Sequence, residues 1–139
     1  MSRNEILAKF RERASAEEVR RFEQMMASSR DFDAQIHALE AVLFKLSEDE
    51  LFAIGVTSVE QDGRTDWAVA WSSDSDETMR AIEQALDRVG VSGGASCSRR
   101  RCGWYVPREE FFAARRALLE IKGIDGLDIQ VVEPLFSLR

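Results

Sequence analysis

Trp67-Ala68-Val69-Ala70-Trp71 is the stretch that decides the fold. Large apolar side chains alternate with alanine, which is the two-residue period of a strand. Toward the C-terminus, Ser72-Ser73-Asp74-Ser75-Asp76-Glu77 reads as a loop and helix N-cap, with acids where a helix N-terminus favours them. Met79, Ile82, Leu86 and Val89 then recur at helical spacing, and Gly90 stands where a helix C-cap is wanted. Residues 91–98 form a weak strand rich in Gly and Ser, and residues 102–106 a better one. Pro107 suits the start of a helix, where its missing N–H costs nothing. Phe111, Phe112, Arg115, Leu118 and Leu119 carry that helix on until Gly123 or Gly126. Residues 127–132 form the last strand, stopped by Pro134. Residues 66–133 therefore spell βαββαβ, the order of a ferredoxin-like sandwich.

Toward the N-terminus, Asp62-Gly63 is a tight-turn signal. Phe52, Ile54 and Val56 alternate before it and predict an extra strand over 52–59, paired with the strand at 66–72. Two arrangements accommodate it. The extra strand displaces the last one from that edge, or the fold is two ββα repeats plus a closing strand. Ile6, Leu7 and Phe10 mark a short amphipathic segment. Ser15-Ala16-Glu17-Glu18 is a capping box opening a helix with Val19, Phe22 and Met26 on one face. Ser28-Ser29-Arg30 breaks it, and a third helix from about Asp33 carries Ile36, Leu39, Val42, Leu43 and Leu46. The stripes are narrow, so these helices are expected to pack on the sheet face carrying Trp67, Val69 and Trp71. The expected organisation is a helical segment over 1–46 and an α+β domain over 47–139.

The length of 139 residues suits one domain with a small appendage. Apolar and charged fractions are those of an ordinary globular protein. The start, Met1-Ser2-Arg3-Asn4-Glu5, lacks the apolar core of a signal peptide, and no apolar run is long enough to span a bilayer. A cytoplasmic protein without membrane association is expected. Arginine in excess of lysine, with frequent alanine, is the usage of a GC-rich bacterial genome. The net charge of −6 is uneven: residues 1–50 hold eight basic and eleven acidic side chains, residues 51–90 three and eight, residues 91–139 eight and six. Overall acidity disfavours DNA and RNA, since phosphate binding needs positive potential. It leaves room for a local basic patch near the C-terminus.

Val89-Gly90-Val91, Trp104-Tyr105-Val106-Pro107-Arg108-Glu109-Glu110 and Ala113-Ala114-Arg115-Arg116-Ala117-Leu118-Leu119 form a further outline. A helix ends at Gly, a strand closes in Tyr-Val-Pro, and an acidic helix start rich in Ala and Arg follows. In this, residues 77–120 resemble bacterial regulatory domains of the prokaryotic signal-transducing type. The resemblance covers about a third of the chain. It implies a ferredoxin-like regulatory or binding domain and brings no catalytic residues.

Arg99, Arg100 and Arg101 are contiguous at an expected hairpin tip, and Arg108, Arg115 and Arg116 follow. Guanidinium forks suit carboxylate or phosphate partners. A solvated tip paired with the protein's own acids is the plainer reading. Cys97 and Cys102 flank Ser98-Arg99-Arg100-Arg101 and would face each other across a four-residue loop. Zinc wants four ligands, and His37 lies on a distant helix. A reducing compartment disfavours a disulfide, although nearby arginines could make the pair redox-responsive. The expectation is two reduced, unmetallated cysteines at half-buried strand positions. Trp67, Trp71 and Trp104 could stack on a ligand, but large aromatics are more often core. Asp74, Asp76 and Glu77 lack calcium-loop spacing, and N-capping explains them.

No catalytic set emerges, and no cofactor or metal is expected. The sequence is read as a non-enzymatic cytoplasmic binding or regulatory protein. Arg99, Arg100, Arg101, Arg108 and Trp104 are its candidate contact residues for a protein partner or small anionic ligand. Homodimerisation is left open. The alternative is a small inhibitor or immunity-type protein that blocks a partner enzyme, and an enzyme with scattered acids ranks last.

Overall fold

A computed structural model of the chain describes residues 2–27, 32–72, 76–98 and 100–133. They form six α-helices and one antiparallel sheet of five strands, a mixed α+β structure, and divide into two compact units, 2–54 and Gly55–Glu133.

The first unit is helical. Helix α1 (Arg3–Arg13) starts at Ser2, whose side chain accepts from the Glu5 N–H, and it runs further than the apolar stripe predicts. It buries Ile6 and Phe10, and the Phe10 ring packs 5.1 Å from Phe22 of α2 (Ala16–Ala27). The capping box at Ser15 and Glu18 is present with both bonds at 3.1 Å. Helix α3 (Phe32–Leu43) buries Ala38, Val42 and Leu43.

Helix α4 (Glu48–Ala53) lies where residues 52–59 were expected to open a strand. A second capping box explains the difference. Ser47 accepts from the Glu50 N–H at 3.3 Å, and the Glu50 carboxylate accepts from the Ser47 N–H at 2.8 Å. That start signal commits Leu51 and Phe52 to helix before their alternation can act. The Glu50 carboxylate also holds Arg13 at 2.5 Å and Lys9 at 2.9 Å, tying α1 to α4. The Arg13 hydrogen bond, aided by the Ser47 N–H and by Lys9, outweighs desolvation and keeps this carboxyl far below the usual range.

The second unit opens with β1 (Ser58–Gln61) and β2 (Arg64–Ser72), a hairpin turned by Asp62 and Gly63. Both turn residues have positive φ, 52° and 75°. That is the pattern of a two-residue turn whose twist matches the strands. Helix α5 (Asp76–Arg88) ends at Gly90, where the Val91 N–H reaches back to the Leu86 carbonyl at 3.0 Å. Strands β3 (Gly94–Cys97) and β4 (Cys102–Pro107) form a second hairpin. A 3-10 turn over Arg108–Glu110 leads into α6 (Phe111–Ile121), and β5 (Ile129–Val131) closes the unit.

The sheet runs β1-β2-β4-β3, and β5 also pairs with β2. The extra strand does not displace the last one from β2, and the order of elements from β1 onward is the expected two ββα repeats with a closing strand. Strand β1 pairs with residues 64–67 of β2, and β5 pairs with residues 70–72. Both share one edge of β2 in tandem. The sheet curls, so that Gln61 of β1 donates to the Ser96 hydroxyl of β3 at 3.1 Å.

The pairing of β2 with β4 shifts register between Ala68 and Ala70. Trp67 is opposite Val106 and Ala70 is opposite Trp104, so these four share one face. Trp67 packs there edge-on against Phe111 of α6 at 5.4 Å. The extra residue in β2 sends Trp71 to the other face, with Ala68 and Tyr105. Unbroken alternation would have kept Trp67 and Trp71 together, as the sequence predicts.

Candidate contact site at the β3–β4 tip

The tip is built by a serine. The Ser98 N–H bonds to the Arg101 carbonyl at 2.9 Å, and the Ser98 hydroxyl accepts from the N–H groups of Arg100 and Arg101 at 3.1 Å each. A Ser side chain that takes up backbone N–H groups in this way favours turns over strand continuation. The Arg101 carbonyl also accepts from the Tyr105 hydroxyl at 2.8 Å. Tyr105 is a buried residue of β4, so the turn is pinned to the interior of its own unit.

The Arg101 side chain does not simply extend into water. Its guanidinium carbon lies 3.4 Å from the centroid of the Trp71 ring. Trp71 is half-buried, and its indole N–H donates to the Gln130 side-chain oxygen. Gln130 is the register partner of Trp71 on β5. One stack therefore connects the start of β4, the end of β2 and β5. Gly103 makes room for it: a Cβ there would fall 2.7 Å from the Ala70 carbonyl oxygen and 3.7 Å from Trp71 Cβ.

Cys97 and Cys102 face each other, as the loop length predicts, but they are not the reduced, half-buried pair expected. They form a disulfide, with Sγ atoms 1.99 Å and Cα atoms 3.9 Å apart, and both residues are exposed. Directly opposed strand residues bring their Cα atoms within about 5 Å, which sets the sulfurs within bonding reach.

Arg100, Arg101, Arg108 and Arg115, four of the six arginines expected to cluster, do not form one patch. Arg100 and Arg101 are exposed at the tip, and Arg99 lies outside the described residues. Arg108 follows the far end of β4, roughly 20 Å along the strand from Arg101, and bonds to Glu109 at 3.1 Å. Burial pushes the Glu109 carboxyl up, but hydrogen bonds from its own backbone N–H and from Arg108 outweigh it and hold the group below its ordinary value. Arg115 binds the Val132 carbonyl at 2.9 Å and Glu133 at 3.1 Å, fastening α6 to the end of β5. Trp104 is only 8 % exposed and is a core residue. Of the five candidate contact residues, the tip brings together Arg100 and Arg101.

Sequence reasoning missed Ser98, Tyr105, Trp71 and Gln130 as parts of this site. Ser98 was within reach, because Ser at the start of a four-residue loop is a turn signal. Trp71 and Gln130 depend on the register shift, which leaves no local signature.

Elsewhere, Arg64 grips the buried Asp66 with bonds of 2.8 and 3.1 Å, and this carboxylate, together with Asp62 and Glu110, raises the Arg64 pKa. The pair is closed on itself. His37 is largely exposed, 3.6 Å from Glu40. Among the described residues no group of three His, Cys, Asp or Glu side chains is placed to hold a metal, and no helix is long and apolar enough to cross a membrane. Asp74 lies outside the described residues.

No protein-family model, curated protein or solved structure matches the chain.

Proposed function

We propose that this chain is a non-enzymatic cytoplasmic binding or regulatory protein, and that the β3–β4 tip is its contact for an acidic protein partner or small anionic ligand. The observation that carries the reading is the seat of Arg101. A guanidinium stacked on an indole keeps its in-plane N–H donors facing outward. The ring and the pinned turn fix its orientation in advance, which reduces the ordering entropy of binding. Arg100, exposed on the same turn, adds a second cation. Carboxylate and phosphate groups match such forks.

A ferredoxin-like regulatory domain is the frame for this reading. The pairing of β5 with β2, β2 with β4 and β4 with β3, in a βαββαβ chain, supports it. The resemblance of residues 77–120 to signal-transducing domains points the same way.

The site can be mapped by titrating isotopically labelled protein with inorganic phosphate and with a poly-glutamate peptide. The expected shifts centre on the amides of Ser98, Arg100 and Arg101 and on the Trp71 indole N–H. Shifts confined to other surfaces, or none, would remove the tip as the contact.

A further inference from the structure

The Ser98 N–H to Arg101 carbonyl bond makes these two residues a hydrogen-bonded pair. Antiparallel strands alternate such pairs with ones that no main-chain bond crosses. Cys97 and Cys102 occupy the next register position, so their disulfide is the covalent link between the strands at a level without backbone bonds. That link lies directly below the turn that seats Arg101 on Trp71. Both cysteines are exposed, and a reductant can reach either sulfur. Exposed disulfides are the labile and regulatory ones, whereas buried ones resist exchange.

We propose that Cys97 and Cys102 form a reversible thiol–disulfide exchange site for a dithiol reductant, and that opening it unseats Arg101 from Trp71. This does not depend on what the tip binds. In the first step a thiolate of the reductant attacks one exposed Sγ. The S–S bond breaks, a mixed disulfide forms, and the other cysteine leaves as a thiolate that takes up a proton. In the second step the reductant's remaining thiolate attacks the mixed disulfide, and the first cysteine leaves and is protonated. Two electrons pass to the chain and the reductant becomes a disulfide. Arg100 and Arg101, two residues and one residue from Cys102, favour departure of a thiolate by their charge. In a reducing compartment a disulfide that forms is characteristically transient or redox-sensing, which suits such a site.

The test uses the full chain, with dithiothreitol as the dithiol and oxidised glutathione as the oxidant. Alkylation followed by mass measurement counts free thiols, and tryptophan emission reports the stack. Both cysteines should become alkylated without denaturant, and the disulfide should re-form in oxidised glutathione. The emission should change reversibly in step, and this change should vanish in Trp71→Phe. A Cys97→Ser, Cys102→Ser double variant should show the reduced emission in both buffers. Resistance to dithiothreitol until the chain unfolds would overturn the proposal. So would an emission change that survives in Trp71→Phe, or a double variant with the oxidised emission.

Discussion

The guanidinium of Arg101 lies 3.4 Å from the ring centroid of Trp71, and the same indole donates its N–H to Gln130. A residue read from sequence as a candidate contact at a hairpin tip is thus seated on β2, through a tryptophan that is itself bonded to β5. The consequence is energetic as well as functional, because cation–π contacts at exposed sites contribute about 0.5–1 kcal/mol.

Arg101→Ser should therefore lower stability by about 0.5–1 kcal/mol. Arg100→Ser should stay within about 0.5 kcal/mol of the parent, as surface substitutions do. Urea denaturation of both variants separates the two arginines. Equal midpoints would mean that the stack is not populated in solution.

Tyr105→Phe keeps the buried ring and removes its bond to the Arg101 carbonyl. The carbonyl retains its Ser98 partner, so the cost should be that of one hydrogen bond, about 0.5–1.5 kcal/mol. Amide exchange should quicken at Arg100 and Arg101 while the body of β4 is unaffected. Faster exchange throughout β4 would show that the hydroxyl supports the sheet and not the tip.

Gly103→Ala places a methyl 2.7 Å from the Ala70 carbonyl oxygen, a backbone atom that cannot swing aside. The expected loss is about 1–3 kcal/mol, the range for overpacking. The Trp71 emission should also shift, since the same methyl approaches its Cβ. A melting temperature equal to that of the parent would contradict the observed strand approach.

Much of the fold was legible because its punctuation is local. Asp62-Gly63, Gly90 and the Ser15–Glu18 box each act within a few residues, and each stands where the sequence places it. The facing of Cys97 and Cys102 followed from loop length alone. The helix at residues 48–53 was missed although Ser47 and Glu50 repeat the signature read at Ser15 and Glu18. Alternation of Phe52, Ile54 and Val56 predicts a strand, but the Ser47–Glu50 start signal acts earlier in the chain. The seat of Arg101 was not legible. It depends on one extra residue in β2 near Val69, which reverses the face of Trp71 and is fixed by pairing with β4 and β5. Tandem sharing of the β2 edge by β1 and β5 is equally a property of pairing, not of either strand.

Glu50 supplies a pH dependence with a definite sign. Its native pKa lies below its ordinary value of 4.5, with the Arg13 hydrogen bond the main cause. The stabilisation is therefore fully present above that ordinary value and is lost as pH falls through the depressed native one. Urea midpoints should drop below pH 4.5 in the parent, and Glu50→Gln should remove part of that drop. Ser47→Ala should cost about 0.5–2 kcal/mol at neutral pH through loss of the cap. An acid limb identical in Glu50→Gln would exclude this carboxylate as its source.

The central claim is that the tip recognises anionic groups through Arg101 and Arg100. The most direct measurement is calorimetric titration of a poly-glutamate peptide into the parent and into an Arg100→Ser, Arg101→Ser double variant at two salt concentrations. Binding should be clearly weaker in the variant. The difference should shrink at high salt, because exposed charges are screened beyond roughly 8 Å at physiological ionic strength and over shorter distances as salt rises. Equal affinity of parent and variant at low salt, with the variant folded, would contradict the assignment.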